Sequence, residues 1–386
     1  MKILWVNSDF LHPTTRGGQI RTLETLRCLH QRHQIHYAGL NLRQSIGLAR
    51  SAEYCTKTYA IPHSVPGSFA PRFWWQAAAS SSTGLPLSVL RYRSRAMLRQ
   101  VETLTGREGF DAVVCDFLAS SANIPLLENA VLFQHNVESI IWKRHVEHAP
   151  TPWHRAFSRA QYHRMLRYEG EVCRAAKRII AVSGADAREM QSLYGASRIA
   201  SVSTGVNIEY FTPPRAIQPT VDLVFLGSMD WRPNIDGLNW FVSSVLPLIR
   251  ARCPSVSLAV VGRRGLAQRD SRIHVTGTVE DVRPHLWRSA VSIVPLRIGG
   301  GTRLKIYEAM AARVPVVSTS VGAEGLDVLD AENIQIADSA EAFAERCVAL
   351  LSDAEARRKQ AQAAWEMVSA CYSWEVISRR FEQLLA

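Results

Sequence analysis

The chain has 386 residues, 47% of them apolar, enough to bury more than one sizeable core, and its length points to two domains more readily than one. Forty-five Lys plus Arg against thirty-four Asp plus Glu give a formal charge of +11, which favours anionic partners; nucleic acid, acidic lipid and nucleotide-activated substrates all qualify. Seven cysteines without a Cys-x-x-Cys spacing read as reduced, cytoplasmic thiols, and neither a secretory leader nor eighteen uninterrupted apolar residues are found, so the expectation is a soluble protein, at most peripheral to a membrane.

Residues 2–7 read as a short apolar strand, and after Pro13 the pair Gly17-Gly18 leads into a helical pattern of Ile20, Leu23, Leu26 and Leu29. Residues 35–40 and 55–61 read as strands. Residues 67–84, with Phe69, Phe73, Trp74 and Trp75, break the rhythm as a loop or short helix with exposed aromatics. A helix follows over 87–105, carrying Arg91, Arg93, Arg95 and Arg99. Residues 111–116 and 131–133 are short strands, the second running straight into Gln134-His135-Asn136-Val137-Glu138. Residues 142–176 are helical and dense in cations, and 178–183 form another strand. Repeated strand–helix alternation argues for parallel sheets covered on both faces.

The composition shifts over 204–220, through Thr212-Pro213-Pro214, which places a linker between a first domain at 1–203 and a second at 221–370. Beyond it strands read at 222–226, 257–261, 273–276, 290–296 and 314–319, with a helix over 235–252. Each strand ends in glycine or a small residue, and ligands of open α/β sheets bind outside the carboxyl ends of strands.

The run from Gly299 to Ala312 is the strongest candidate site. Three glycines, Gly299, Gly300 and Gly301, let the backbone approach a bulky anion, and the helix N-terminus behind Thr302 supplies donors and partial positive charge. Lys305 and Glu308 are three residues apart and share a face of that helix. One cation near a diphosphate and one carboxylate reaching ribose hydroxyls match a nucleoside diphosphate. The same residues also fit a glycine turn before a buried helix, with Lys305 and Glu308 as an ordinary surface pair.

The chain resembles the family-four, group 1 type glycosyltransferases of GT-B architecture. The matching pieces, in order, are Pro13 to Gly18 with Arg21, Gln134 to Glu138, Thr204 to Pro213, Phe225 to Asn234, Val275 to Val279, and Gly299 to Ala312 continuing through Thr319. The resemblance implies an α/β fold of two Rossmann-like domains with parallel sheets facing across a cleft, acceptor-binding first and donor-binding second, and a C-terminal helix, 371–386, crossing back to the first. It implies transfer of a sugar from a nucleoside-diphosphate-sugar with retention at the anomeric carbon, without metal or cofactor. Glu308 matches the second glutamate of the family's Glu-x7-Glu motif, the ribose ligand; the first falls at Gly300, a departure that leaves the sugar open. Arg303 and Lys305 take the diphosphate, Thr278 and Val279 meet the base, and Ser228 lies in the loop after the second domain's first strand. Gly17 and Gly18 match the loop facing the diphosphate, and His135 matches a histidine beside the reacting sugar.

The competing readings are a sugar-nucleotide epimerase of the same fold, a non-catalytic partner subunit, and a nucleic-acid-binding protein. The last is disfavoured because the cations show no recognition motif. Arg72, Phe73, Trp74 and Trp75, with the arginines at 91–99 and the cations at 143–178, suit an anionic glycolipid acceptor at a membrane surface, or are core aromatics beside a solvated face.

Overall fold

The computed structural model describes residues 1–14, 17–42, 46–66, 75–76, 80–147, 149, 151–215, 217–263, 270–298 and 303–385. The chain divides into two compact units, Met1–Ser203 with Ile377–Ala386, and Thr204–Val376.

In the first unit β1 (Lys2–Asn7), α1 (Gly17–His30), β2 (Gln34–Asn41), β3 (Lys57–Pro62), α2 (Arg95–Arg107), β4 (Ala112–Asp116), β5 (Ala130–Gln134), α3 (Glu138–Glu147), α4 (Pro152–Ala175), β6 (Arg178–Ala181), α5 (Gly184–Tyr194) and β7 (Ile199–Ser201) follow in order. The strands make one seven-stranded parallel sheet in the order β3-β2-β1-β4-β5-β6-β7. Ile3, Leu4, Trp5 and Val6 of the central β1 are fully buried, as a parallel strand covered on both faces requires. The chain steps outward from β1 to β3 and then returns with β4 beside β1. The carboxyl ends of β1 and β4 therefore flank the unit's topological switch point.

Two stretches read as single helices are each interrupted. Within 87–105, a short helix Leu87–Leu90 is followed by a turn, and α2 starts only after Ser94. The Ser94 hydroxyl accepts from Met97 N, and its own N–H donates to Asn123 Oδ1 at 2.7 Å. Between α3 and α4, Thr151 caps α4 through His154 N at 3.2 Å with Pro152 in the first turn.

The second unit contains β8 (Val221–Leu226), α6 (Arg232–Trp240), α7 (Leu246–Arg252), β9 (Leu258–Val261), β10 (Ile273–Gly277), β11 (Ser289–Val294), α8 (Leu304–Ala311), β12 (Val316–Ser318), β13 (Gln335–Ile336), α9 (Ala340–Ser352), α10 (Ala354–Cys371) and the start of α11 (Trp374–Gln383). A π-turn, Phe241–Val245, joins α6 to α7. The six strands are parallel in the order β10-β9-β8-β11-β12-β13, which puts this switch point between β8 and β11. The core gathers Leu223, Phe225, Phe241, Val260, Ile293 and Phe343. Residues 204–220, read as a linker, belong to this unit from Thr204: Val206 bridges Ser373, and Asn207 Oδ1 caps the short helix Ile208–Phe211.

From Ile377 onward α11 belongs to the first unit. Phe381 is buried with its ring 5.6 Å from Trp5 and 4.8 Å from Phe133. Arg32 pairs with Glu382 at 2.8 Å, and Arg178 Nη1 donates to the Leu384 carbonyl at 2.8 Å.

Candidate functional site

Polar side chains gather at the switch point of each unit. In the second, α8 buries Ile306, Tyr307, Ala309 and Met310 and leaves Lys305 and Glu308 half-buried on its other face. Lys305 Nζ donates to Asn234 Oδ1 at 3.1 Å and sits 4.8 Å from the centre of the Phe225 ring. Asn234 is buried, and its Nδ2 donates to the Ser228 carbonyl at 2.8 Å. One amide thus joins the loop after β8 to the cation on α8. Gly227 makes room for it, since a Cβ there would lie 2.7 Å from Asn234 Nδ2.

Desolvation pulls Lys305 down to about 7, with the nearby Arg303 charge acting the same way and Glu308 opposing. Burial pushes Glu308 up to about 7 against the attraction of Lys305. Among the described residues Glu308 has no hydrogen-bonded partner. Arg303, buried just before α8, holds its guanidinium 4.9 Å from the centre of the Trp231 ring. The Ser228 hydroxyl donates to Asp230 Oδ1 at 2.6 Å. Thr278 and Val279 follow Gly277, whose φ of 70° turns the chain at the carboxyl end of β10, two strands from β8. Gly299, Gly300, Gly301 and Thr302 lie outside the described residues. Asn234 and Trp231 were not expected here. Both stand in the loop-to-helix run after β8, but only the fold brings them to α8.

A separate cavity of about 780 Å³, bordered by Pro219, Trp287, Arg313, Pro315 and Lys359, opens at the opposite, amino edge of this sheet. It shares no residue with the cluster around Lys305.

In the first unit the centre is Asp116, the fully buried last residue of β4. Its Oδ2 accepts from Asn7 Nδ2 at 2.6 Å, Thr22 Oγ1 at 2.8 Å and Trp5 Nε1 at 3.0 Å. Its Oδ1 receives His135 Nε2 at 2.7 Å. Arg21 Nη1, which can only donate, faces His135 Nδ1 at 3.4 Å. The imidazole is therefore held as the tautomer with its proton on Nε2. Burial lowers the pKa of His135, Arg21 adds to that, and Asp116 opposes it. Phe117 stacks on the ring at 3.9 Å from a backbone with φ 64°, uncommon for a bulky side chain and the kind of local strain that collects at functional sites. Gly17 and Gly18 open α1, and a Cβ on Gly18 would come within 2.6 Å of the Phe117 ring.

Beside it, Glu169 on α4 accepts from the N–H groups of Glu138 and Ser139, from Gln134 Nε2 and from Tyr194 Oη, and so caps α3 from a distance. Burial and the Glu169 charge push Glu138 up to about 7. Among the described residues no three His, Cys, Asp or Glu side chains group as a metal site would need. No helix among them is long and apolar enough to cross a membrane.

Solved structures place the fold. Sucrose-phosphate synthase from Thermosynechococcus elongatus aligns with a TM-score of 0.69 at 16% identity, over 100% of this chain and 98% of that one. Anabaena HepE in complex with UDP-glucose aligns at 0.65 and 14% identity, over 100% and 99%. WaaG, a glycosyltransferase involved in lipopolysaccharide biosynthesis, aligns at 0.65 and 14%, over 100% of both chains. The class is thus the GT-B α/β fold of two Rossmann-like domains. A curated relative, an uncharacterized protein of the cps region of Klebsiella pneumoniae, is 20% identical over 99% of each chain. The model of Glycosyltransferase Family 4 matches residues 15–210 and that of Glycosyl transferases group 1 matches 220–353, so the chain belongs to the group 1, family-four glycosyltransferases.

Proposed function

We propose that this glycosyltransferase moves a sugar from a nucleoside-diphosphate-sugar to a glycan or glycolipid acceptor with retention at the anomeric carbon. The observation that carries the donor half is the Lys305–Glu308 face: a desolvated ammonium fixed by Asn234 beside a desolvated carboxyl. Lys305 and Arg303 take the diphosphate, with the backbone of Gly299 to Thr302 and the start of α8. Glu308 receives the ribose hydroxyls. Thr278 and Val279 meet the base, two strand spacings or roughly 10 Å from the switch point. The loop residue Ser228 closes the phosphate side. As the glycosidic bond breaks, negative charge grows on the departing diphosphate, and the two cations stabilise that state more than the ground state. No metal or separate cofactor enters this scheme.

The family pattern gives Gly17 and Gly18 of the first unit a role toward the diphosphate and His135 one toward the reacting sugar. Its two ring nitrogens are engaged by Asp116 and Arg21, so His135 positions and polarises rather than exchanging protons. Retention rests on the family pattern. The bound UDP-glucose of HepE, the lipopolysaccharide context of WaaG and the cps-region relative favour a UDP-sugar and a polysaccharide pathway.

The test is thermal stabilisation of the purified protein by UDP, GDP, ADP and their sugars, followed by product formation with candidate acceptors. One nucleotide series stabilising wild type but not the Glu308→Ala variant supports the reading. Indifference to every nucleotide sinks it. Donor turnover without an acceptor-linked product favours the epimerase, and binding without turnover favours a partner subunit that has lost the acidic residue at Gly300.

A further inference from the structure

The first two turns of α4 stand clear of the body, with residues 151–157 all exposed. Trp153 is 85% exposed and Phe157 41%, whereas Ser158, Gln161 and Met165 point inward and are buried. At 100° per residue, Trp153 and Phe157 fall one turn apart on one flank of the outward arc and Arg155 and Arg159 on the other, with the small Ala156 and Ala160 between them. The neighbouring α3 braces this end, its Trp142 ring lying edge-on 6.3 Å from Phe157, and adds the exposed Lys143. From 139 to 163 the chain carries four Lys or Arg and one acidic residue, Glu147.

A single exposed aromatic is ordinary on a protein surface, but Trp153 and Phe157 stand one turn apart on the same flank of a capped helix end. Flanked by guanidinium groups and almost free of acid, the arrangement has the order of an interfacial anchor: aromatic rings at the headgroup boundary, with cations pairing to phosphates above them. We propose that the α3–α4 end of the first unit docks the enzyme on an anionic lipid bilayer. This deepens the glycolipid reading and rests on it only for the acceptor: of the residues first weighed for it, Arg72, Phe73 and Trp74 lie outside the described residues and Trp75 is 76% exposed, and Trp153 and Phe157 now supply its basis. Three exposed cations, Lys143, Arg155 and Arg159, and two rings are too few for irreversible anchoring, so the contact is reversible and strongly salt-dependent.

The experiment is co-sedimentation of the full chain with vesicles of phosphatidylcholine alone and with about one third phosphatidylglycerol, at low and high salt. Wild type sediments with the anionic vesicles, releases at high salt and ignores the neutral ones. Arg155→Gln with Arg159→Gln weakens the partition roughly fivefold per charge removed. Trp153→Ser with Phe157→Ser weakens it by at least tenfold while the circular dichroism spectrum and the melting temperature stay those of wild type, which shows the fold intact. Equal partition to both vesicles, or variants that bind like wild type, overturns the proposal. So does light scattering that shows a dimer abolished by Trp153→Ser, because the face then belongs to a second copy. Lipid docking retained in a protein that binds no nucleotide would sink the transferase reading and leave this one standing.

Discussion

The ammonium of Lys305 and the side-chain amide of Asn234 meet at 3.1 Å, and the other end of the same amide holds the Ser228 carbonyl at 2.8 Å. A buried asparagine thus fixes a cation that burial would otherwise let lose its proton. Asn234→Ala removes two hydrogen bonds at a buried position and is expected to lower stability by about 1–3 kcal/mol and donor affinity about tenfold. Asn234→Asp places a carboxylate against Lys305, raises its pKa and extends donor binding to higher pH. Calorimetric titration of donor at pH 7 and pH 9 checks both. Equal affinities in wild type and the alanine variant would show that Lys305 needs no positioning.

Donor affinity is expected to peak near pH 7. Below that value Glu308 takes up a proton and stops accepting from hydroxyls; above it Lys305 loses its proton and its charge, both groups lying near 7 in the free protein. Lys305→Arg should flatten the alkaline limb, and Glu308→Gln the acid limb while lowering affinity. Isothermal titration between pH 6 and 8.5 reads the profile, and a level one rejects the assignment of both groups.

The same carboxyl burdens the fold. Its folded value lies above the usual carboxylate value, so the stability tied to its neutral form is complete below about 4.5 and lost as the pH rises through about 7. Glu308→Gln should therefore unfold at higher urea than wild type at pH 8, by about 1–2 kcal/mol, with the gap closing at pH 5. Loss of stability at pH 8 would mean that Glu308 has a stabilising partner.

Much of this arrangement was legible in the residues. The alternation of apolar runs with glycine-ended loops marks parallel sheets, because a strand buried on both faces has no polar alternation to show. The spacing of Lys305 and Glu308 marks a shared helix face. What did not show was long-range. Asn234 precedes Lys305 by seventy-one positions and becomes its partner only because β11 returns beside β8. Asp116 ends an ordinary apolar strand, and nothing local tells that four donors from β1, α1 and the end of β5 converge on it. The break at Ser94 was missed because a serine inside a helical pattern looks tolerable until Asn123 is placed against its backbone.

Asp116 is expected to be the costliest single loss in the first unit. Asp116→Ala leaves donors on Trp5, Asn7, Thr22 and His135 without an acceptor in a dry interior, a loss of about 3–5 kcal/mol. In wild type the His135 ring should keep its proton on Nε2 and stay neutral to below its ordinary pKa of 6.5, which nitrogen NMR shifts report. A ring that titrates above 6.5 would contradict the buried arrangement.

Phe381 is the last element of the first unit's core, and it arrives from the far end of the chain. Its ring meets Trp5 of β1 and Phe133 of β5, both buried, so β1 and β5 are finished only when α11 is in place. Phe381→Ala leaves a cavity beside two aromatic rings and should lower stability by about 3–5 kcal/mol. Removing residues 377–386 goes further, since it exposes Trp5 and deletes the Arg32–Glu382 and Arg178–Leu384 contacts with it. Hydrogen exchange separates this from a general collapse. Protection should fall in β1 and β5, while nucleotide still protects α8 around Lys305 and Glu308. Unchanged exchange in β1 after the truncation would show that α11 only covers a core already complete without it.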